Sequence, residues 1–243
     1  MSIHAFLYED ARETAGQCSA RILELLRATL SAGPRATLAI SGGTTPGLMF
    51  AELAKARFDW DPVHLFWVDE RGVPPSDPQS NYKLAKDSFL DPARFPARNV
   101  HRIQAELAPE LAARLYAEEI SQFFSLVSGQ LPPFDILHRG MGPDAHTASL
   151  FPGEPAIDDL KNLTAAVYVE KFHQWRITLL PGVLQAAKQT IMLVAGADKA
   201  EPLRSVLHSA YDPKKYPAQI ATQDGYNVMW FLDRAAASRL DLK

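Results

Sequence analysis

Asp144 and His146 stand two residues apart in the segment Gly-Met-Gly-Pro-Asp-Ala-His-Thr (140–147), just after the apolar run Phe-Asp-Ile-Leu (134–137). Such a run reads as a buried strand, and the glycines and proline after it read as the turn that ends it. A carboxylate and an imidazole on a loop at a strand's end can move a proton. Histidine, with an unperturbed pKa of about 6.5, takes the proton, while the carboxylate orients the ring or stabilises its cation. Alone, Asp-x-His describes a tight turn with a surface Asp and a satisfied His more readily than a catalytic pair. The neighbouring motifs reverse that preference.

Ser41, Gly42, Gly43, Thr44, Thr45 and Pro46 follow the apolar run 36–40 and precede a helix that begins near Pro46. Paired glycines let the backbone approach a ligand, and a helix N-terminus offers free N–H groups and the positive end of its dipole. The three hydroxyls add donors, so the segment reads as a phosphate cradle or, equally, as a Gly-Gly turn with a capped helix. It carries neither the lysine of a P-loop nor Gly-x-Gly-x-x-Gly, so ATP and dinucleotides are not indicated. Asp69, Glu70 and Arg71 end the run 63–68. By themselves they read as a solvated turn, but the Arg71 guanidinium can engage a phosphate or a developing oxyanion through several donors. Asn81 and Tyr82, after the Pro-rich loop 73–78, are placed to line the same cleft. Arg176, on or just before a strand, and Lys199, opening a helix after Gly-Ala-Asp, supply two positive charges for a phosphate dianion. The other histidines lack metal-ligand spacing, so no metal is expected. Trp60, Trp67, Trp175 and Trp230 read as core or cleft-wall residues.

The elements that must hold these loops alternate. Strand candidates are 4–8, 36–40, 63–68, 100–103, 134–138, 165–169, 176–179, 190–195 and 228–232; helical patterns cover 11–31, 109–127, 199–208 and 234–240. Alternation of this kind predicts an α/β fold with a mostly parallel sheet covered on both faces. Ligands of such sheets bind outside the carboxyl ends of the strands, where all four loops lie. No linker or repeat interrupts the pattern, so residues 1–243 are read as one domain, with room for a small α/β subdomain inserted after residue 60.

Composition narrows the partners. A net charge of −3 gives no basic field for nucleic acid or a membrane surface, and the single cysteine, Cys18, excludes an intramolecular disulfide. The polar, acidic stretch 2–17 does not resemble a signal peptide, and no apolar run is long enough to span a bilayer, so the expected location is cytoplasmic.

Taken in order, Ser-Gly-Gly-Thr-Thr-Pro (41–46), Trp-Val-Asp-Glu-Arg (67–71) with Ser-Asn-Tyr (80–82), Gly-Met-Gly-Pro-Asp-x-His-Thr-Ala-Ser-Leu-Phe-Pro (140–152), Arg-Ile-Thr (176–178) and Gly-Ala-Asp-Lys-Ala (196–200) resemble the 6-phosphogluconolactonases across almost the whole chain. The resemblance implies a Rossmann-like three-layer αβα fold shared with glucosamine-6-phosphate deaminases. It also implies hydrolysis of 6-phospho-D-glucono-1,5-lactone, without metal or cofactor, in the oxidative pentose phosphate pathway. By the same likeness His146 is the catalytic base, and the Gly-Gly loop, Arg176 and Lys199 hold the phosphate. Asp69 and Asn81 join that binding set, with Asp144 and Arg71 beside His146 in catalysis. The expected partner is a small sugar-phosphate lactone, with no nucleic acid and no membrane, and the protein is expected to be a monomer or weak homodimer.

Two departures from the family pattern stand out, covering three positions. Ala145 replaces the usual glycine between Asp and His; if that position needs positive φ, the alanine costs about 1–2 kcal/mol. His138 and Arg139 replace aliphatic residues and are read as the strand's exit into solvent.

Lactone hydrolysis needs His146 to take a proton from a water that attacks C1 and to return it to the ring oxygen, with Arg71 stabilising the oxyanion or binding sugar hydroxyls. An acyl-enzyme route through Ser149 lacks a nucleophile elbow. The rival enzyme is an amino-sugar-phosphate deaminase/isomerase. Those enzymes carry an acidic residue five positions after the His, where this chain has Phe151. A non-catalytic sugar-phosphate sensor needs no base, and the retained Asp144 and His146 count against it.

Overall fold

The computed structural model describes residues 4–222 and 227–240. Ten strands and seven α-helical segments occur among them: β1 (His4–Tyr8), α1 (Ala11–Ala32), β2 (Ala36–Ile40), α2 (Thr44–Lys55), β3 (Val63–Trp67), β4 (Asp69–Arg71), α3 (Asn81–Ala85), α4 (Asp91–Ala93), β5 (Val100–His101), α5 (Pro109–Phe124), β6 (Ile136–Arg139), β7 (Thr164–Val169), β8 (Gln174–Leu179), α6 (Pro181–Ala186), β9 (Thr190–Val194), α7 (Ala200–His208) and β10 (Val228–Asp233). The main sheet has seven strands in the order β1-β10-β9-β6-β2-β3-β5, and every pairing in it is parallel. Helices cover both faces, as the alternating pattern predicts.

Parallel strands share one carboxyl edge. From β2 the chain runs outward through β3 to β5, then returns to set β6 against the other side of β2 and continues outward through β9. Strand order therefore reverses between β2 and β6, which leaves a crevice between the loops that leave them. The register there is held by a half-buried polar clasp. Asp135, one residue before β6, accepts hydrogen bonds from the Thr37 N–H (2.9 Å) and hydroxyl (2.8 Å), while its own N–H donates to that hydroxyl (2.8 Å). Lys188 pairs with its other oxygen at 2.7 Å. Thr37 is thus a satisfied polar residue in a strand whose other members, Ala36, Leu38, Ala39 and Ile40, are fully buried.

β4, β8 and β7 form a separate antiparallel sheet. β4 differs from the sequence reading, in which its three charges make a turn. Asp69 and Glu70 are 5% and 2% exposed, and β4 pairs with β8 so that Arg71 lies directly opposite Arg176. The stretch after residue 60 gives β3, β4 and, after the Pro-rich loop, a helical run in which α3 passes through a π-helical turn (Lys86–Leu90) into α4.

His138 and Arg139 are a second correction. They are 0% and 1% exposed, because β6 lies in the sheet interior between β9 and β2 and both its faces are covered. Burial alone holds the His138 pKa down at about 3, and it lowers that of Arg139 to about 9 against a small opposing effect of Tyr211. The helix expected over 234–240 is only a 3-10 turn, Ala236–Arg239. Trp60, Trp67 and Trp230 are buried, but Trp175 is 38% exposed on β8 and meets Tyr168 edge-on.

Candidate active site

Four loops at the carboxyl edge enclose a cavity of about 460 Å³. Its walls include Ser41, Gly42, Gly43, Thr44, Thr45, Asp69, Arg71, Asn81, His146, Arg176 and Lys199. Of the residues expected at the site, Asp144 stands behind the wall as the partner of His146, and Tyr82 lies outside it.

The cradle is the start of α2. Gly43, at φ +126°, is its N-cap, and the helix begins at Thr44, two residues earlier than Pro46. No side chain caps this end, so the Thr44 and Thr45 N–H groups belong to the unsatisfied first turn. Gly42 is required by close approach: a Cβ there would lie 1.9 Å from Asn81 Oδ1. Asn81 is in turn fixed by Asp69, whose carbonyl accepts from its side-chain amide at 2.9 Å.

Two buried carboxylates build the wall. Asp69 accepts from the Ser41 hydroxyl on one oxygen and the Ser149 hydroxyl on the other, each at 2.8 Å. Ser149 is therefore buried and engaged with Asp69, and it does not line the cavity. Glu70 accepts four bonds: Arg71 N–H (2.8 Å) and Asn81 N–H (2.7 Å) on Oε1, Ser80 hydroxyl (2.9 Å) and Tyr82 N–H (2.7 Å) on Oε2. Burial raises its pKa, and the four bonds oppose that without cancelling it. Glu70 thus pins the start of α3 to β4. Sequence reading missed this role because the partners lie ten to twelve residues downstream across a loop. Tyr82 turns away from the cavity and packs on Trp67.

Arg71 and Arg176, cross-strand neighbours in β4 and β8, both face the cavity. Arg71 Nη1 also donates to the Gln79 carbonyl. Like charges placed directly opposite are unfavourable without a counter-charge. Burial lowers the Arg176 pKa; Asp69 opposes this and Arg71 adds to it. Across the cavity Lys199 pairs with Asp198 at 2.5 Å. Asp198, also in the wall, was not anticipated from the sequence.

The imidazole stands on a strained loop. His146 Nδ1 lies 2.5 Å from Asp144 Oδ1, an arrangement in which Nδ1–H donates to the carboxylate and Nε2 is left as the proton acceptor. Lys171, from the turn between β7 and β8, contacts Asp144 Oδ2 at 3.1 Å. Burial acts to raise the Asp144 pKa, but His146 and Lys171 outweigh it and hold the carboxyl well below the usual carboxylate range. Phe151 stacks on the His146 ring with centroids 4.2 Å apart. Ala145 does adopt the left-handed conformation, with φ +63°, and Ala148 follows at +52°.

The family described as glucosamine-6-phosphate isomerases/6-phosphogluconolactonase matches residues 9–230. The chain belongs to this family. Among its relatives, 6-phosphogluconolactonase from a Synechocystis species is 36% identical over 205 residues, 84% of each chain. The enzyme of the same name from Haemophilus influenzae is 36% identical over 208 residues, 84% of this chain and 87% of that one. The solved structure of 6-phosphogluconolactonase from Trypanosoma brucei superposes with a TM-score of 0.89 at 25% identity, covering 98% of this chain and 99% of the other. A monomeric glucosamine-6-phosphate deaminase shares the fold, with a TM-score of 0.83 at 19% identity over 98% of this chain and all of that one.

Proposed function

We propose that this member of the family hydrolyses 6-phospho-D-glucono-1,5-lactone to 6-phospho-D-gluconate in the oxidative pentose phosphate pathway, with His146 as the base. The observation that carries the reading is the Asp144–His146 pair beside a cavity that also presents Arg71, Arg176, Lys199 and the open first turn of α2. Arg176, Lys199 and the loop at 41–45 hold the phosphate. That remote contact positions C1 against His146, an orientation effect. Asp69 and Asn81 shape the sugar pocket. His146 Nε2 takes a proton from water as its oxygen attacks C1, and Arg71 stabilises the oxyanion. The tetrahedral intermediate collapses, the bond from C1 to the ring oxygen breaks, and the imidazolium returns the proton to that oxygen. Asp144 keeps Nδ1 protonated throughout.

Phe151 supports hydrolysis over isomerisation, because an aromatic ring stacks on His146 where an isomerase carries its second acid. A cytoplasmic monomer or weak homodimer acting as one domain completes the proposal. No helix among the described residues is long and apolar enough to cross a membrane. The test is lactone opening corrected for the spontaneous reaction: His146→Ala is expected to lose about 100-fold or more. Equal rates for the variant and the unmutated protein overturn the role of His146.

A further inference from the structure

The turn Glu170–Phe172 between β7 and β8 reaches back over the catalytic loop. Its Phe172 ring meets Phe151 edge-on, with centroids 5.9 Å apart, and lies under the Arg176 guanidinium at 5.4 Å. These contacts tie the turn both to the ring that stacks on His146 and to a phosphate-site cation. Lys171 then falls 3.1 Å from Asp144 Oδ2, while Oδ1 faces His146. Asp144 is thus gripped by both oxygens, one by the imidazole and one by an ammonium. Lys171 is 56% exposed and is not among the side chains that line the cavity.

We propose that Lys171 is a positioning residue for the catalytic pair: it holds Asp144 so that Oδ1 stays on His146. This rests on the reading of His146 given above. An exposed ion pair contributes little stability, but a positive charge one carboxylate away from an imidazole disfavours the imidazolium. The other charged side chains facing this ring across the cavity are Asp69, Arg71, Arg176, Asp198 and Lys199. All of them remain when Lys171 is changed.

The test is the ionisation of His146 followed by NMR at low ionic strength in the unmutated protein, Lys171→Met and Lys171→Arg, with His146→Ala identifying the resonance. Removing the charge is expected to raise the midpoint by about half a pH unit, and arginine is expected to restore it. In the kinetics, kcat of Lys171→Met should fall about threefold on the acid side and recover at alkaline pH, with KM within about twofold because uniform binding is untouched. An unchanged or lowered midpoint overturns the proposal. If the midpoint rises while His146→Ala still opens the lactone at the full rate, Lys171 does control the pair and the reading of His146 as the base fails instead.

Discussion

At the scale of single residues, the position of the His146 ring is bought with two backbone restrictions. A Cβ on Gly142 would lie 2.0 Å from His146 Cε1 and Nδ1, so any side chain there must push the ring off Asp144. Gly142→Ala is therefore expected to lose about 100-fold in kcat/KM, with its urea midpoint close to that of the unmutated protein; retained activity would mean the ring has room to move. Ala145 carries the opposite message. Its φ of +63° is the conformation glycine tolerates, yet its methyl is buried in a second core cluster with Met141, Met192 and Trp230. Relief of about 1–2 kcal/mol of strain competes with loss of about 0.8 kcal/mol of methyl burial. Ala145→Gly should thus raise stability by no more than about 1 kcal/mol in urea unfolding; any net loss would place more packing energy on the methyl than on the strain. The departure at Ala145 was visible in the sequence, but its φ was not, since φ here depends on the turn closed by Ala145 N–H to the Gly142 carbonyl at 3.0 Å.

At the scale of elements, β3, β5 and α5 are joined by a polar chain away from the catalytic loops. His64 Nδ1 lies 3.0 Å from His101 Nε2, and His101 Nδ1 lies 2.8 Å from Glu119. Burial first, then His101, Arg35 and Arg98, hold the His64 pKa down at about 4. A histidine with a lowered folded-state pKa is protonated more readily when unfolded. Its contribution to stability is complete above the unfolded value of about 6.5 and is lost as pH falls through about 4. Urea midpoints measured from pH 7.5 to 4 should decline, and His64→Phe should decline less steeply while still packing on Phe123. Parallel curves would remove His64 as a source of the acid sensitivity. Sequence alternation places His64 in a strand but gives no hint of this chain, because its members come from three elements. For the same reason three charged residues in a row read as a turn: nothing local says that Glu70 will receive three of its four donors from a segment beyond a Pro-rich loop.

At the scale of the whole molecule, the parallel order of the main sheet was legible because buried strands and amphipathic helices leave strong periodic signals, and the four loops at its carboxyl edge follow from that order. The identity of the cavity residues was legible too, since glycines, hydroxyls and cations cluster just after apolar runs. What the sequence left hidden is the small antiparallel sheet that brings Arg71 opposite Arg176, and the turn that brings Lys171 to Asp144. Both depend on pairing of β4 with β8, more than a hundred residues apart in the chain. A net charge of −3 supplies no long-range attraction for an anionic substrate, so on the proposed reading capture falls to Arg71, Arg176 and Lys199 in the cavity wall.

The clasp of Asp135 on Thr37 has a consequence in time. It joins residues 98 positions apart, and the crevice exists only once β2 and β6 are side by side. Bringing such distant segments together costs the chain the freedom of the long loop between them. A chain with only the cradle or only the histidine loop in place has half a site, so the site is all-or-none: it exists when those two segments have met and not before.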